Sequence, residues 1–141
     1  SALAVPGETT DMGWLVEPEG LTDLLVGLSR RYPDLPLMVT ANGAACADAV
    51  TTSSDGARAV HDPERISYVR RHLAAVRRAR DAGAAVVGYY LWSLLDNYEW
   101  AYGYSKRFGI VHVDYRTFER TPKDSFWYYR DVIASRELPG A

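Results

Sequence analysis

Eight residues that can grip a polar ring lie within one stretch of thirteen: Trp92, Asp96, Asn97, Tyr98, Glu99, Trp100, Tyr102 and Tyr104. Flat rings alternate there with hydrogen-bonding groups, and that mixture suits a sugar. A pyranose offers an apolar C–H face for an indole to cover and a rim of hydroxyls for a carboxylate to accept from, while Trp and Tyr supply contact area together with a polar atom. A tryptophan on its own is most often a core residue. Here the ordered set of rings, amide and acid points to a ligand, with Glu99 directly beside Trp100. Elsewhere reactive side chains are sparse. Cys46 is the one cysteine, no histidine stands near it in sequence to act as its base, and it reads as a small packed residue. His61, His72 and His112 show no ligand spacing, so neither a metal nor another cofactor is expected.

Such a stretch needs rigid elements beneath it. Val86 to Trp92 carries β-branched and aromatic residues on both alternating faces, which suits a parallel strand covered on each side, and Gly88 inside it marks a close approach or a bend. A second short apolar run, Pro36 to Thr40, ends at Ala41-Asn42-Gly43. Asn-Gly is a hairpin signal, yet no matching strand follows; residues 44–62 are small and polar and read as a loop of about 19 residues, a length that is usually functional. Three helices are expected. The first opens at Glu17-Pro18-Glu19, shows Leu21, Leu24, Leu25 and Leu28 on one face, and stops before Pro33. The second has Asp62 as its N-cap, an apolar stripe of Ile66, Val69, Leu73 and Val76, and Gly83 past its end. The third opens at Thr121-Pro122-Lys123-Asp124 and presents Phe126, Tyr129 and Ile133. Residues 1–13 read as an irregular lead-in. Helix and strand alternate, which implies parallel strands whose following loops, after Thr40 and after Trp92, emerge at the same edge and converge.

The run LWSLLDNYEWAYGYSKRFGIVHVDY, residues 91–115, resembles the C-terminal signature of glycoside hydrolase family 1, the retaining β-glucosidases and their relatives, over some twenty-five consecutive residues. The resemblance implies an α/β chain that is the C-terminal portion of a (β/α)8 TIM barrel, strands 7 and 8 with flanking helices, forming part of one catalytic domain with no separate second domain over 1–141. It also implies that Trp92 stacks on the glycone, Glu99 binds the hydroxyls at O4 and O6, Trp100 donates to O3, and Phe108 walls the C6 side. Relatives acting on 6-phosphorylated glycosides replace the Glu-Trp pair and use a serine, a lysine and a tyrosine around the phosphate, and Lys106 is present here. Glu99 would keep a negative charge where a phosphate must sit, and Phe108 lacks a tyrosine hydroxyl, so an unphosphorylated β-D-glucoside, with β-galactosides as the neighbouring configuration, is the expected substrate.

LPLMVTANGAACAD continues the likeness, with one departure. Family members read Thr-Glu-Asn-Gly where this chain reads Thr40-Ala41-Asn42-Gly43, and that glutamate is the nucleophile. Retaining hydrolysis needs two carboxyl groups about 5 to 5.5 Å apart, and alanine supplies neither attack nor protonation. The acid/base belongs to an Asn-Glu-Pro motif on the fourth strand; Val16-Glu17-Pro18 only looks like it, and Glu17 reads as a helix-start residue. The expectation is therefore a substrate-trapping or glycosynthase-like form of the enzyme, engineered or natural, or a sugar-binding protein that has lost catalysis.

At 141 residues the chain is shorter than the about 250 of a complete barrel, so the N-terminal portion of the same barrel is its expected partner. A net charge of −2, from 18 acidic and 16 basic residues, argues against nucleic acid, and the arginines Arg70, Arg71, Arg77, Arg78 and Arg80 read as a solvated helix surface. Ser1-Ala2-Leu3 opens no signal peptide and no stretch approaches the roughly 20 apolar residues of a membrane span, so a soluble chain is expected. A single thiol suits a reducing, cytoplasmic compartment.

Overall fold

Two parallel strands lie at the centre of the computed structural model, which describes residues 7–138. In chain order the elements are α1 (Pro18–Arg31), β1 (Leu37–Asn42), β2 (Val50–Thr52), β3 (Arg58–Val60), α2 (Pro63–Asp81), β4 (Val86–Leu91), a 3-10 turn (Trp100–Tyr102), β5 (Val111–Val113), β6 (Arg120–Pro122) and α3 (Asp124–Ser135). β1 pairs in parallel with β4, matching Leu37 with Val86 and Asn42 with Leu91. The expected alternation is present, and the core it closes is Leu25, Val39, Val76, Ala79, Ala84 and Val86, with Leu21, Val26, Leu37 and Tyr89 packed against it. β-branched residues supply the strand side of that core and a leucine the α1 side, as their packing preferences favour.

Several details differ from the sequence reading. Residues 1–6 of the lead-in lie outside the described residues, and the rest is not irregular: a turn at Gly13 brings Thr9 and Leu15 into an antiparallel bridge. Leu24 is 57% exposed, because α1 meets the core through Leu25 and its neighbours Leu21 and Val26. The polar stretch after β1 contains a hairpin, β2 against β3, whose small and polar residues carry too little apolar alternation to announce a strand. Thr121 and Pro122 belong to β6, paired antiparallel with β5, so α3 starts two residues later than its proline suggests. Pro122 is at the end of a strand of three residues, where a missing donor costs little. Gly88 does mark a close approach, since a Cβ there would lie 3.2 Å from the Met38 side chain.

α2 differs in an instructive way. Val69 and Val76 are buried as expected, while Ile66 and Leu73 are only half-buried. Arg65 and His72 are buried with them. Asp62 occupies the N-cap position but makes no capping bond with its side chain, because that carboxylate is turned inward onto charged and hydroxyl partners.

Candidate functional site

Ala41 and Trp92 stand at the same, C-terminal end of the β1–β4 pair. Asn42 is the register partner of Leu91, and the Trp92 N–H donates to the Asn42 carbonyl at 2.9 Å. At Gly43 the two chains come so close that a Cβ would lie 1.7 Å from the Trp92 carbonyl oxygen, so this position is reserved for glycine. The Asn-Gly pair thus marks a contact between strand ends, not a hairpin turn. Asn42 is also held by its side chain: its Oδ1 accepts from the Tyr89 hydroxyl at 2.7 Å and its Nδ2 donates to the Tyr68 hydroxyl at 3.2 Å. Burial pushes the Tyr89 phenol far above its usual range, with Tyr68 and Tyr129 adding to the effect, so it remains a proton donor throughout the working range of pH. Ala41 is exposed, and the Trp92 indole is 45% exposed.

Glu99 and Trp100 arrive on the loop that leaves Trp92. The Glu99 N–H donates to the Gly103 carbonyl at 2.7 Å and the Tyr102 N–H to the Glu99 carbonyl at 2.8 Å, closing a tight turn in which Gly103 takes a positive φ of 58°. Trp100 is 81% exposed and has φ 38°, a left-handed conformation that costs a bulky residue roughly 1–3 kcal/mol and recurs at ligand sites. Among the described residues the half-buried Glu99 carboxylate has no hydrogen-bond or ion-pair partner. Phe108 returns alongside the strand end, its carbonyl accepting from the Ser93 N–H at 3.1 Å. Its ring is buried, 6.0 Å from Trp14, so Trp14 joins Phe108 here although nothing in its own surroundings marked it. Lys106 is already committed: its ammonium donates to the Asp11 carbonyl at 2.7 Å and to the Asp11 carboxylate at 2.9 Å. A cleft of about 390 Å³ beside Ala44, Ala45 and Tyr68 is lined by none of the five candidate residues.

Beneath the site lies an ion network that sequence reasoning missed. Arg65 donates to both oxygens of Asp48 at 2.9 and 2.8 Å and pairs with Asp62. Lys123 reaches Asp48 at 2.5 Å and Asp96 at 2.9 Å, and Arg107 reaches Asp96 at 2.6 Å. Asp62 also takes bonds from the Ser125 N–H and hydroxyl. Three carboxylates meet three cations, so the charges balance where water is scarce. Burial works against the charged form of Arg65, but the Asp48 hydrogen bonds and the surrounding charges outweigh it and hold the guanidinium ionised. Gly109 completes the fit, because a Cβ there would lie 2.1 Å from the Asp96 nitrogen.

Cys46 is half-buried, and its thiol is pushed up to about 11, chiefly by burial, which leaves it a weak nucleophile at neutral pH. His72 stacks on Tyr68 at 3.8 Å and bonds the Tyr68 carbonyl. Among the described residues no group of three or more His, Cys, Asp or Glu is arranged to hold a metal, and no helix is long and apolar enough to cross a membrane.

Comparison with known proteins gives this arrangement a context. The sequence is 54% identical over 132 residues to a bifunctional β-D-glucosidase/β-D-fucosidase of Bifidobacterium breve, covering 94% of this chain and 29% of that protein. It is 55% identical over 121 residues to thermostable β-glucosidase B of Thermobispora bispora, covering 86% of this chain and 24% of that one. The fold matches a Thermotoga maritima β-glucosidase solved with glucoimidazole at a TM-score of 0.89 and 43% identity, over 98% of this chain and 30% of that structure. The chain thus spans less than a third of the length of these relatives and is a partial piece of their TIM-barrel fold. The sequence model of glycosyl hydrolase family 1 matches residues 3–138, and the chain belongs to that family.

Proposed function

We propose that this chain forms the C-terminal part of a retaining β-glucosidase acting on terminal unphosphorylated β-D-glucosides, with β1 and β4 as the seventh and eighth barrel strands and Ala41 standing where the nucleophile belongs. The observation that carries the reading is the junction of strand ends: Ala41 immediately precedes Asn42, whose carbonyl accepts from the Trp92 N–H, and Glu99 and Trp100 hang from the loop that begins there. Trp92 covers the apolar face of the glycone, the unpartnered Glu99 carboxylate accepts its O4 and O6 hydroxyls, Trp100 donates to O3 and the Phe108 ring bounds the C6 side. The commitment of Lys106 to Asp11 leaves no free cation at that position for a phosphate, which supports an unmodified sugar.

Attack at the anomeric carbon needs a carboxylate at position 41, and the proton for the leaving oxygen must come from an acid on the N-terminal portion of the barrel. With a methyl group instead, no covalent intermediate forms. A loss of about 10⁴ in rate, roughly 5 kcal/mol of barrier, is the least expected. The space left by the carboxylate admits a small anion. In the full-length protein, turnover of an aryl β-glucoside is expected to be negligible, to rise when azide or formate is added, and to be restored by Ala41→Glu. Tight sugar binding with no rescue by either anion and no activity in Ala41→Glu would replace this reading with that of a sugar-binding protein without catalysis, which the alanine itself favours.

A further inference from the structure

Among the ties between the loops after β1 and after β4 is one buried ammonium. Asp48 lies on the first loop, seven residues past Ala41, and Asp96 on the second, between Trp92 and Glu99. Arg65 serves Asp48 and Asp62, and Arg107 serves Asp96. Among the described residues, Lys123 is the cation that touches a carboxylate from each loop. Its side chain is fully buried, and its backbone N–H donates to the Ile110 carbonyl at 2.9 Å, which ties Lys123 to the second loop and makes its bond to Asp48 the contact that crosses to the first.

From this geometry we infer that Lys123 is a positioning residue for the sugar site: it sets the separation between the strand end that carries Ala41 and the loop that carries Trp92, Glu99 and Trp100. The inference rests on the proposed function and goes beyond it, since Lys123 itself touches no sugar. Removing the ammonium leaves three carboxylates with two cations, Arg65 on Asp48 and Asp62 and Arg107 on Asp96, and no cation shared by Asp48 and Asp96. Like charges in a dry site repel strongly, and each belongs to a different loop, so the repulsion opens the gap the sugar must bridge. Other ties persist. Arg65 and the Cys46 N–H both still donate to the Arg107 carbonyl, at 2.9 and 3.2 Å, which keeps the loops attached while their spacing changes.

The test uses the full-length protein as it stands, with alanine at 41, and reads affinity for an aryl β-glucoside by tryptophan fluorescence well below the melting temperature. Lys123→Met is expected to weaken binding at least tenfold. Leu25→Ala, a truncation on α1 within the core cluster that includes none of the network residues, is expected to lower the melting temperature with affinity within twofold of the parent. Asp96→Asn, with its amide oxygen in the place of Oδ1, keeps the bond from the Gly109 N–H, gives up the Oδ2 bonds from Arg107 and Val113, and removes the negative charge that pulls on Lys123; it carries the test, with the same expected direction, where Lys123→Met does not fold. Equal affinity in Lys123→Met, Asp96→Asn and the parent overturns the inference, as does an equal loss in Leu25→Ala, which would make the effect one of stability alone. A parent that binds no glucoside overturns the functional reading as well, which separates the two failures.

Discussion

At Gly43 the backbone of one strand end passes within bonding range of where a side chain would begin, 1.7 Å from the Trp92 carbonyl oxygen. The obstacle is main chain and has no rotamer to move, so Gly43→Ala must push the two strand ends apart and strain the Trp92–Asn42 hydrogen bond. A cost of about 3 kcal/mol is expected, at the upper end of overpacking penalties, read as a lower urea midpoint with an unchanged slope, together with weaker sugar binding. A Gly43→Ala protein as stable as its parent would mean that the strand ends do not meet in this way. At this scale the sequence offers residue types: rings, amide and acid in thirteen positions suit a sugar, and the likeness to a known family attaches an expected role to each of Trp92, Glu99, Trp100 and Phe108. What residue-level reading could not supply is the purpose of the Asn-Gly pair. Its local signal is that of a turn, whereas the constraint that selects glycine comes from a strand 49 residues away, which no window along the chain contains.

Helix α2 shows why elements are legible in outline and not in their contents. Its proline, leading acid and trailing glycine are local features, and the structure begins the helix at Pro63 as they require. Its inward face holds Arg65 and His72 in addition to valines. Asp62, Arg65 and Lys123 each satisfy a local rule as a helix-start or surface charge, yet the partners that bury them lie as much as 75 residues away, as with Lys123 and Asp48. The buried histidines have a consequence at the level of the element. Burial depresses His72, partly offset by its bond to the Tyr68 carbonyl. Burial depresses His112 too, reinforced by Arg107 and Lys123 and opposed by Asp96 and Asp48. Because the folded state favours the neutral ring, unfolded chains bind more protons as pH falls past the ordinary value of 6.5. The contribution is therefore fully present above that value and is lost as pH drops through it toward the folded pKa. The urea midpoint is expected to decline between pH 7 and pH 5. His72→Phe, which keeps the ring on Tyr68, loses a hydrogen bond worth about 1 kcal/mol at every pH and should show a shallower decline. A slope unchanged by His72→Phe would exclude His72 as a source of the acid sensitivity.

Over the whole molecule, surface area shows what the two-stranded sheet leaves unfinished. A folded monomer of 15.7 kDa should present about 7,300 Å², whereas this chain presents 9036 Å². The surplus of about 1,700 Å² is roughly twice what one partner contributes to a standard interface. Its character is apolar: Met38, Val87 and Tyr90 on the central strands are each about half or more exposed, as are Leu94 and Ile133 around the groove of about 330 Å³ beside α3. Strand residues of this type belong in an interior. A chain with three helices and two parallel strands cannot cover both faces of that sheet by itself, so the expected cover is the N-terminal portion of the barrel. Expressed alone, the 141-residue chain should bind a hydrophobic dye and sediment as oligomers. Supplied together with the N-terminal portion, it should sediment as one complex with the dye displaced and aryl β-glucoside binding regained. A chain that sediments as a dye-free monomer would show that its apolar strand faces are covered from within, and the barrel-fragment account of the exposed sheet would fall.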